Sequence, residues 1–245
     1  MSGALIIERG ERCWTFTLNR PEKRNALSSA LIEDLISAVD DAHAQQIPLL
    51  VFQGAGKNFS AGFDFTAYES ASEGDLLLRL VRIETLLQSI ATSPSLTLAF
   101  AHGRNFGAGV DLFAACKLRY CTLDSSFRMP GLKFGLVLGT GRFRRLVGEA
   151  AALSILGSAR TFDAQEAVDI GFVQSAAPQA QWPGLLRKAV DSAGLLCPQT
   201  RASLYRVLDG DDADRDMAAL VKSAARPGLK ARIRRYLETP APAAK

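Results

Sequence analysis

An α/β fold with parallel strands is predicted by three features of this 245-residue chain. Strand-like and helix-like apolar patterns alternate from Leu5 to about Val173, which is how strand–helix–strand units are built. Glycine-bearing turns follow two apolar strands, at 54–62 and at 103–109. After about Leu186 the strand signals vanish and the rest reads as helix. The expected layout is therefore a core over residues 1–186 and a helical region over 187–245.

The elements follow in order. Leu5-Ile6-Ile7 and Cys13 to Leu18 are rich in β-formers, and Arg9-Gly10-Glu11 supplies the turn of a hairpin. Asn19-Arg20-Pro21 breaks the second strand. Leu27, Leu31, Ile32, Leu35, Ile36 and Val39 recur at helical spacing, with Ser28 or Ser29 as N-cap. Pro48 to Phe52 suits a buried strand. Leu76 to Ile90 forms an amphipathic helix that Pro94 ends, and Leu96 to Phe100 is the next strand. The segment 109–115 reads as a helix, 117–122 as a strand, 142–156 as a helix and 163–170 as a short helix closed by Gly171. An acidic patch spans Asp209 to Asp214, Arg226 to Tyr236 is basic and amphipathic, and the tail 240–245 is expected to fray.

Composition narrows the function. With 48% hydrophobic and 22% charged residues the chain is globular, so disorder and fibre are excluded. No stretch is long and apolar enough to span a bilayer, so no membrane partner is expected. The N-terminus reaches charge almost at once and lacks a signal-peptide layout, so a cytoplasmic location is expected. Cys13, Cys116, Cys121 and Cys197 form no CxxC pair, which fits free thiols. With only His43 and His102 present, a zinc site has little to draw on. Both histidines read as structural or solvated. The net charge of +4 is too small and too dispersed to favour nucleic acid.

The two glycine-rich segments, Phe59 to Asp64 and Gly103 to Asp111, share one theme: a strand, a glycine-bearing turn, then a helix. Glycine lets the backbone approach a ligand. Helix N-termini leave N–H donors unpaired and carry partial positive charge. Two such donors aimed at one point make an oxyanion hole. Either segment alone could equally be an ordinary turn.

With their flanks, the segments resemble the crotonase superfamily of enoyl-CoA hydratases and isomerases. Asn19-Arg20-Pro21-Glu22-Lys23-Arg24-Asn25-Ala26-Leu27-Ser28 resembles its opening signature. Residues 56–64 resemble its first oxyanion segment, His102 to Asp111 its second, and Phe162 to Val173 a later helix and strand. The resemblance implies a crotonase-like spiral of repeated β-β-α units with a helical C-terminal region. That region would make the contacts of a homotrimer, or of a dimer of trimers. It also implies an acyl-CoA thioester substrate whose carbonyl sits between the backbone N–H groups of Phe63 and Ala108. Coenzyme A would enter as part of the substrate, with no metal and no redox cofactor. CoA contacts are implied at Lys23, Arg24, Ala26, Ala61, Asp64, Phe65, Gly107 and Gly131. Lys57 is a weaker candidate for the phosphates, and Asp64 also reads as a structural acceptor in its own loop.

The sequence departs from the family at one place. A hydratase of this kind resembles a two-carboxylate machine. The first position here is Asp111, and the second is Gly131. No carboxylate lies between Ser125 and Gly148, where Arg128, Lys133, Arg142, Arg144 and Arg145 stand instead. One carboxylate suffices to take a proton from one carbon and return it to another. The function expected is therefore that of an enoyl-CoA hydratase/isomerase-class enzyme with Asp111 as its single acid/base. The alternative is a subunit that binds acyl-CoA without turnover. Phe63, Phe65, Tyr68, Leu86 and Leu136 are candidate walls of the acyl pocket. The basic end reads first as a solvated face with Ile233 and Leu237 inward, second as a phosphate contact, and last as an RNA contact.

Overall fold

The structure is a computed structural model in which residues 3–209 and 212–239 are described. The expected tail at 240–245 and residues 210–211 of the acidic patch lie outside these. β1 (Leu5–Arg9) and β2 (Cys13–Leu18) form the antiparallel hairpin, with Leu5 opposite Leu18. Trp14, Phe16 and Leu18 alternate inward along β2. The Ser28 hydroxyl accepts from the Leu31 N–H and caps α1 (Ser29–Ala44), which buries Leu31, Ile32, Leu35 and Val39. β3 (Leu49–Gly54), α2 (Glu73–Ala91) and β4 (Leu96–Ala101) follow. A capping box of Ser72 and Asp75 starts α2.

Next come β5 (Arg104–Phe106), α3 (Ala108–Ala115), β6 (Leu118–Cys121), β7 (Ser126–Arg128), α4 (Thr140–Ser158), β8 (Thr161–Asp163), α5 (Ala164–Asp169) and β9 (Ser175–Ala176). The main sheet has six strands in the order β1-β2-β3-β4-β6-β9, parallel from β2 onward. A second sheet has three, ordered β5-β7-β8. From β4 the chain lays one strand in the main sheet and one in the second before a helix, then repeats: β4, β5, α3, then β6, β7, α4. This is the expected spiral. The strands of the second sheet have three residues each, too few to show a period, and the sequence reading did not separate them.

Among the described residues three apolar clusters make up the core, the largest of them between the sheets and the helices. Phe113, Phe127, Phe143, Phe162 and Phe172 stack within it, with ring centroids 5.3–5.8 Å apart. The helical region is α6 (Trp182–Ala193), α7 (Pro198–Asp209), α8 (Ala213–Ala224) and α9 (Leu229–Glu238). The change of character expected near Leu186 falls inside α6. Leu220, Leu229 and Ile233 of α8 and α9 pack on Leu76 and Leu80 of α2. This packing brings the end of the chain back over the spiral.

Three expectations are corrected. The first glycine segment does not lead straight into a helix: α2 starts only at Glu73, because Phe63 is first held in a β-bridge to Leu27. His43 is half-buried rather than solvated, with Nε2 2.8 Å from the Ser93 hydroxyl, and burial lowers its pKa. Ile233 points inward as expected, but Leu237 is 43% exposed at the end of α9. The cysteines are free thiols, and burial pushes Cys116 and Cys121 up to about 12. No helix among the described residues is long and apolar enough to cross a membrane.

Candidate active site

Two backbone turns meet beside a cavity. Gly62 has φ +80°, a conformation costly for any residue with a side chain, and a Cβ there would run into the Phe106 carbonyl and lie 2.9 Å from the Ala108 nitrogen. Gly107 has φ +49° and is the N-cap of α3, while its N–H donates to the Arg128 carbonyl at 2.8 Å. The residues that follow these glycines, Phe63 and Ala108, present N–H groups that no hydrogen bond engages among the described residues. The bridge that holds Phe63 uses its neighbours instead: the Leu27 N–H donates to Gly62 O at 2.7 Å, and the Asp64 N–H donates to Leu27 O at 3.4 Å.

Asn25 fixes the first turn from below. It is fully buried at φ +55°. Its amide donates to the carbonyls of Ala55 and Asn58, both at 2.8 Å, and its carbonyl oxygen Oδ1 accepts from the Arg20 N–H at 2.8 Å. The Ser60 hydroxyl donates to Asn25 O at 2.8 Å and accepts from the Gly62 N–H at 3.1 Å. Arg20 pairs with Asp64 at 2.7 Å, and Arg79 lies over the Phe63 ring at 4.4 Å while donating to Asp64 O.

The cavity holds about 300 Å³. An aromatic wall built from Phe63, Phe65, Phe134 and Tyr236 closes one side, with neighbouring ring centroids 5.0–6.4 Å apart. Asp111, in the first turn of α3, is the one carboxylate among the described residues of the wall. It is 3% exposed, and its Oδ1 is buried without a hydrogen-bond partner. A helix N-terminus favours a carboxylate, but burial dominates and pushes the Asp111 carboxyl well above the ordinary range. Gly139, at φ +63°, lets the backbone pass against this carboxyl, where a Cβ would overlap Oδ1.

The model of the enoyl-CoA hydratase/isomerase family matches residues 8–225. The chain belongs to the enoyl-CoA hydratase/isomerase family. A probable enoyl-CoA hydratase of Bacillus subtilis is 33% identical over 203 residues, which are 78% of this chain and 76% of that protein. The mitochondrial Delta(3,5)-Delta(2,4)-dienoyl-CoA isomerase of Rattus norvegicus is 33% identical over 66% of this chain, though the match spans only 54% of that protein. A solved structure from Bordetella parapertussis, carrying the enoyl-CoA hydratase/isomerase description, superposes with TM-score 0.97 at 69% identity, over 98% of this chain and 100% of that one.

In this enoyl-CoA hydratase/isomerase family member the residues singled out from the sequence fall into two groups. Arg24, Ala61, Phe63, Phe65, Gly107, Ala108, Asp111, Gly131 and Leu136 line the cavity. Lys23, Ala26 and Asp64 do not, although the loop that holds Lys23 and Ala26 abuts it. Asp64 is 5% exposed and fully engaged by Arg20 and Thr66. Burial alone would raise its pKa, but these bonds outweigh it and hold the carboxyl below the ordinary range. Lys57 is exposed on another face, Leu86 is sealed in the main core, and Tyr68 packs behind Phe65. The His102 Nε2 lies 2.9 Å from the Gly56 carbonyl, which is a structural role.

Sequence reading assigns Asn25 and Arg142 no individual role and does not single out Arg79 or Glu84, the buried partner of Arg142. Asn25 carried a usable signal, since asparagine is among the few residues that tolerate a left-handed backbone. Glu84 and Arg142 carried none, because residues 58 positions apart show no local pattern. Among the described residues no group of three or more His, Cys, Asp and Glu side chains is placed to hold a metal.

Proposed function

We propose that the protein binds an enoyl-CoA thioester and shifts its double bond with Asp111 as the single acid/base. The observation that carries this reading is the buried, unpartnered Asp111 carboxyl in the cavity wall beside the free N–H groups of Phe63 and Ala108. Those N–H groups would bind the thioester oxygen. They stabilise the negative charge that develops there when a proton leaves the neighbouring carbon, and they need no reorganisation to do so. Asp111 would take the proton from C2 of a 3-enoyl chain and return it at C4. The double bond then lies between C2 and C3, the enolate collapses, and Asp111 ends as it began. A raised pKa suits a base that must accept a proton from carbon.

Hydration would need a second group to hold and deliver water. At Gly131 there is none: the residue starts a short 3₁₀ turn, and a Cβ there would already lie 3.1 Å from the Leu136 carbonyl. The coenzyme has a fitting surface. A groove of about 690 Å³ shares Phe134, Tyr236 and Leu237 with the cavity, and Arg128, Lys133, Arg226 and Arg235 line it with no carboxylate among the described residues of its wall. Such a groove suits the phosphates of CoA. Exposed Leu204, Val207 and Leu208 on α7 suit contacts between copies in a trimer, which solution mass would test.

The experiment is a matched assay. A 3-enoyl-CoA should gain the absorbance of a conjugated thioester, and Asp111→Asn should abolish the gain. Loss of absorbance from a 2-enoyl-CoA would instead mean hydration. Binding of both substrates without turnover of either would favour the alternative of an acyl-CoA-binding subunit, for which the empty position at Gly131 is the supporting observation.

A further inference from the structure

Beneath Asp111 lies a second buried charge cluster that the proton transfer itself does not use. Arg142 of α4 donates to Glu84 of α2 at 3.0 Å, with side chains 7% and 1% exposed. Glu84 Oε1 also accepts from Gln88 at 3.1 Å, while Glu84 Oε2 and the Nε and Nη1 of Arg142 are buried without partners. A sealed ion pair carries a large desolvation cost for each ion and is on average no more stabilising than apolar packing. Its presence beside the one acidic group of the cavity therefore calls for a reason.

We propose that Arg142, held in place by Glu84, is a positioning residue for Asp111: its buried guanidinium is the cation that lets the carboxylate form in a mainly apolar cavity wall. The inference rests on the reading of Asp111 as the acid/base. Arg142 follows Gly139 by one helical turn, and Gly139 packs against the Asp111 carboxyl. The charge balance requires a donor of positive potential here. From α2, Glu84 opposes ionisation of Asp111, and from α8, Asp216 does the same. From α4, Arg142 favours it, and favours it more than either acid opposes it. Arg145 of α4 is already occupied by Asp216 at 2.8 Å and Asp212 at 3.1 Å. β4 carries no charged side chain, and Arg104 of β5 is exposed. Glu84 thus has two opposed effects. It fixes the guanidinium in place, and its own charge restrains how far Asp111 is drawn toward ionisation.

The test exploits that opposition. The protonated-carboxyl stretch of Asp111 is followed by infrared pH titration of the ligand-free protein, identified by its loss in Asp111→Asn. The kcat/KM profile on a 3-enoyl-CoA is recorded in parallel. Glu84→Gln leaves the cation and should move the Asp111 titration down by about one pH unit. Removing Arg142 alone strands a buried carboxylate and endangers folding, so the double variant Glu84→Gln/Arg142→Gln is used, with circular dichroism as the control. It should move the titration up by about one unit or more, and Arg142→Lys should return it toward the parent. A mere packing role predicts shifts of one sign, because loosening admits water in every variant. Titrations that stay put, or that move together, overturn the proposal. If they move as expected but turnover is indifferent to Asp111→Asn, the proposed function fails and the electrostatic coupling stands.

Discussion

Asp64 and Asp111 are nearly equal in burial, 5% and 3% exposed, and each stands one to three residues from a cavity-lining residue, Phe63 or Ala108, whose backbone N–H no hydrogen bond engages among the described residues. Their surroundings set them apart. Asp64 is surrounded by donors, the Arg20 guanidinium and the Thr66 N–H, and is held ionised as a brace for the loop that carries Phe63. Asp111 has a buried oxygen without a partner in a mainly apolar wall, and burial raises its pKa well above the ordinary range. Burial alone therefore does not distinguish a structural carboxylate from a chemical one. The supply of donors does.

The largest test of this contrast is Asp111→Asn. It should cost roughly 10²–10⁴-fold in turnover, the usual worth of a positioned acid/base, with no loss of melting temperature. Next is Gly62→Ala. Its Cβ would meet the Phe106 carbonyl at a backbone angle that alanine resists, so the Phe63 N–H should be displaced and turnover should fall by roughly 10²-fold or more, as when one oxyanion donor is lost. Circular dichroism would separate this from unfolding. Asp64→Asn should do the reverse of Asp111→Asn. It should cost about 1.5–3 kcal/mol in urea denaturation, from charged hydrogen bonds lost, and should reduce turnover only as far as the loop loosens.

Stability against pH sharpens the comparison further. Asp111 ionises in the unfolded chain near the ordinary carboxylate value and in the folded chain well above it. Its contribution is therefore complete in acid and is lost as pH rises through the folded value. Asp64 has a lowered folded value, so its contribution is present above the ordinary value and is lost as pH falls through the folded one. Asp111→Asn should thus gain melting temperature over the parent at pH 8 and lose that gain near pH 4. The deficit of Asp64→Asn should shrink in acid. The smallest effect expected is at the groove. Lys133→Ala should raise KM for a CoA thioester a few-fold, increasingly so at low salt, with kcat unchanged.

The parts of this molecule legible in the sequence are those that repeat or that sit in short continuous segments. The first five strands of the main sheet, α1 with its Ser28 cap, and the turns at Gly62 and Gly107 were all local patterns, whereas the two-residue β9 was not. So was the position of Asp111 four residues after Gly107. The second sheet was not legible, because strands as short as Ser126–Arg128 are defined by their partners rather than by a period. Nor was the contrast between Asp64 and Asp111, since it is set by a donor 44 positions away, Arg20, for the one and by burial in the folded core for the other. The cavity wall supplied by Tyr236 and Leu237 depends on how α9 folds back, and no pattern within α9 records that.

The order of the main sheet follows the order of the chain, so each new strand finds its partner already synthesised. Such a polypeptide can be assembled from one end as it leaves the ribosome, with no strand waiting for a distant mate. The reaction chamber is different. Its other lining residues are all in place by residue 156, but Tyr236 and Leu237 arrive with the last described helix. A nascent chain would therefore own a nearly complete scaffold well before it had an enclosed chamber, and chains cut short before α9 should fold yet leave the cavity open to solvent on that side.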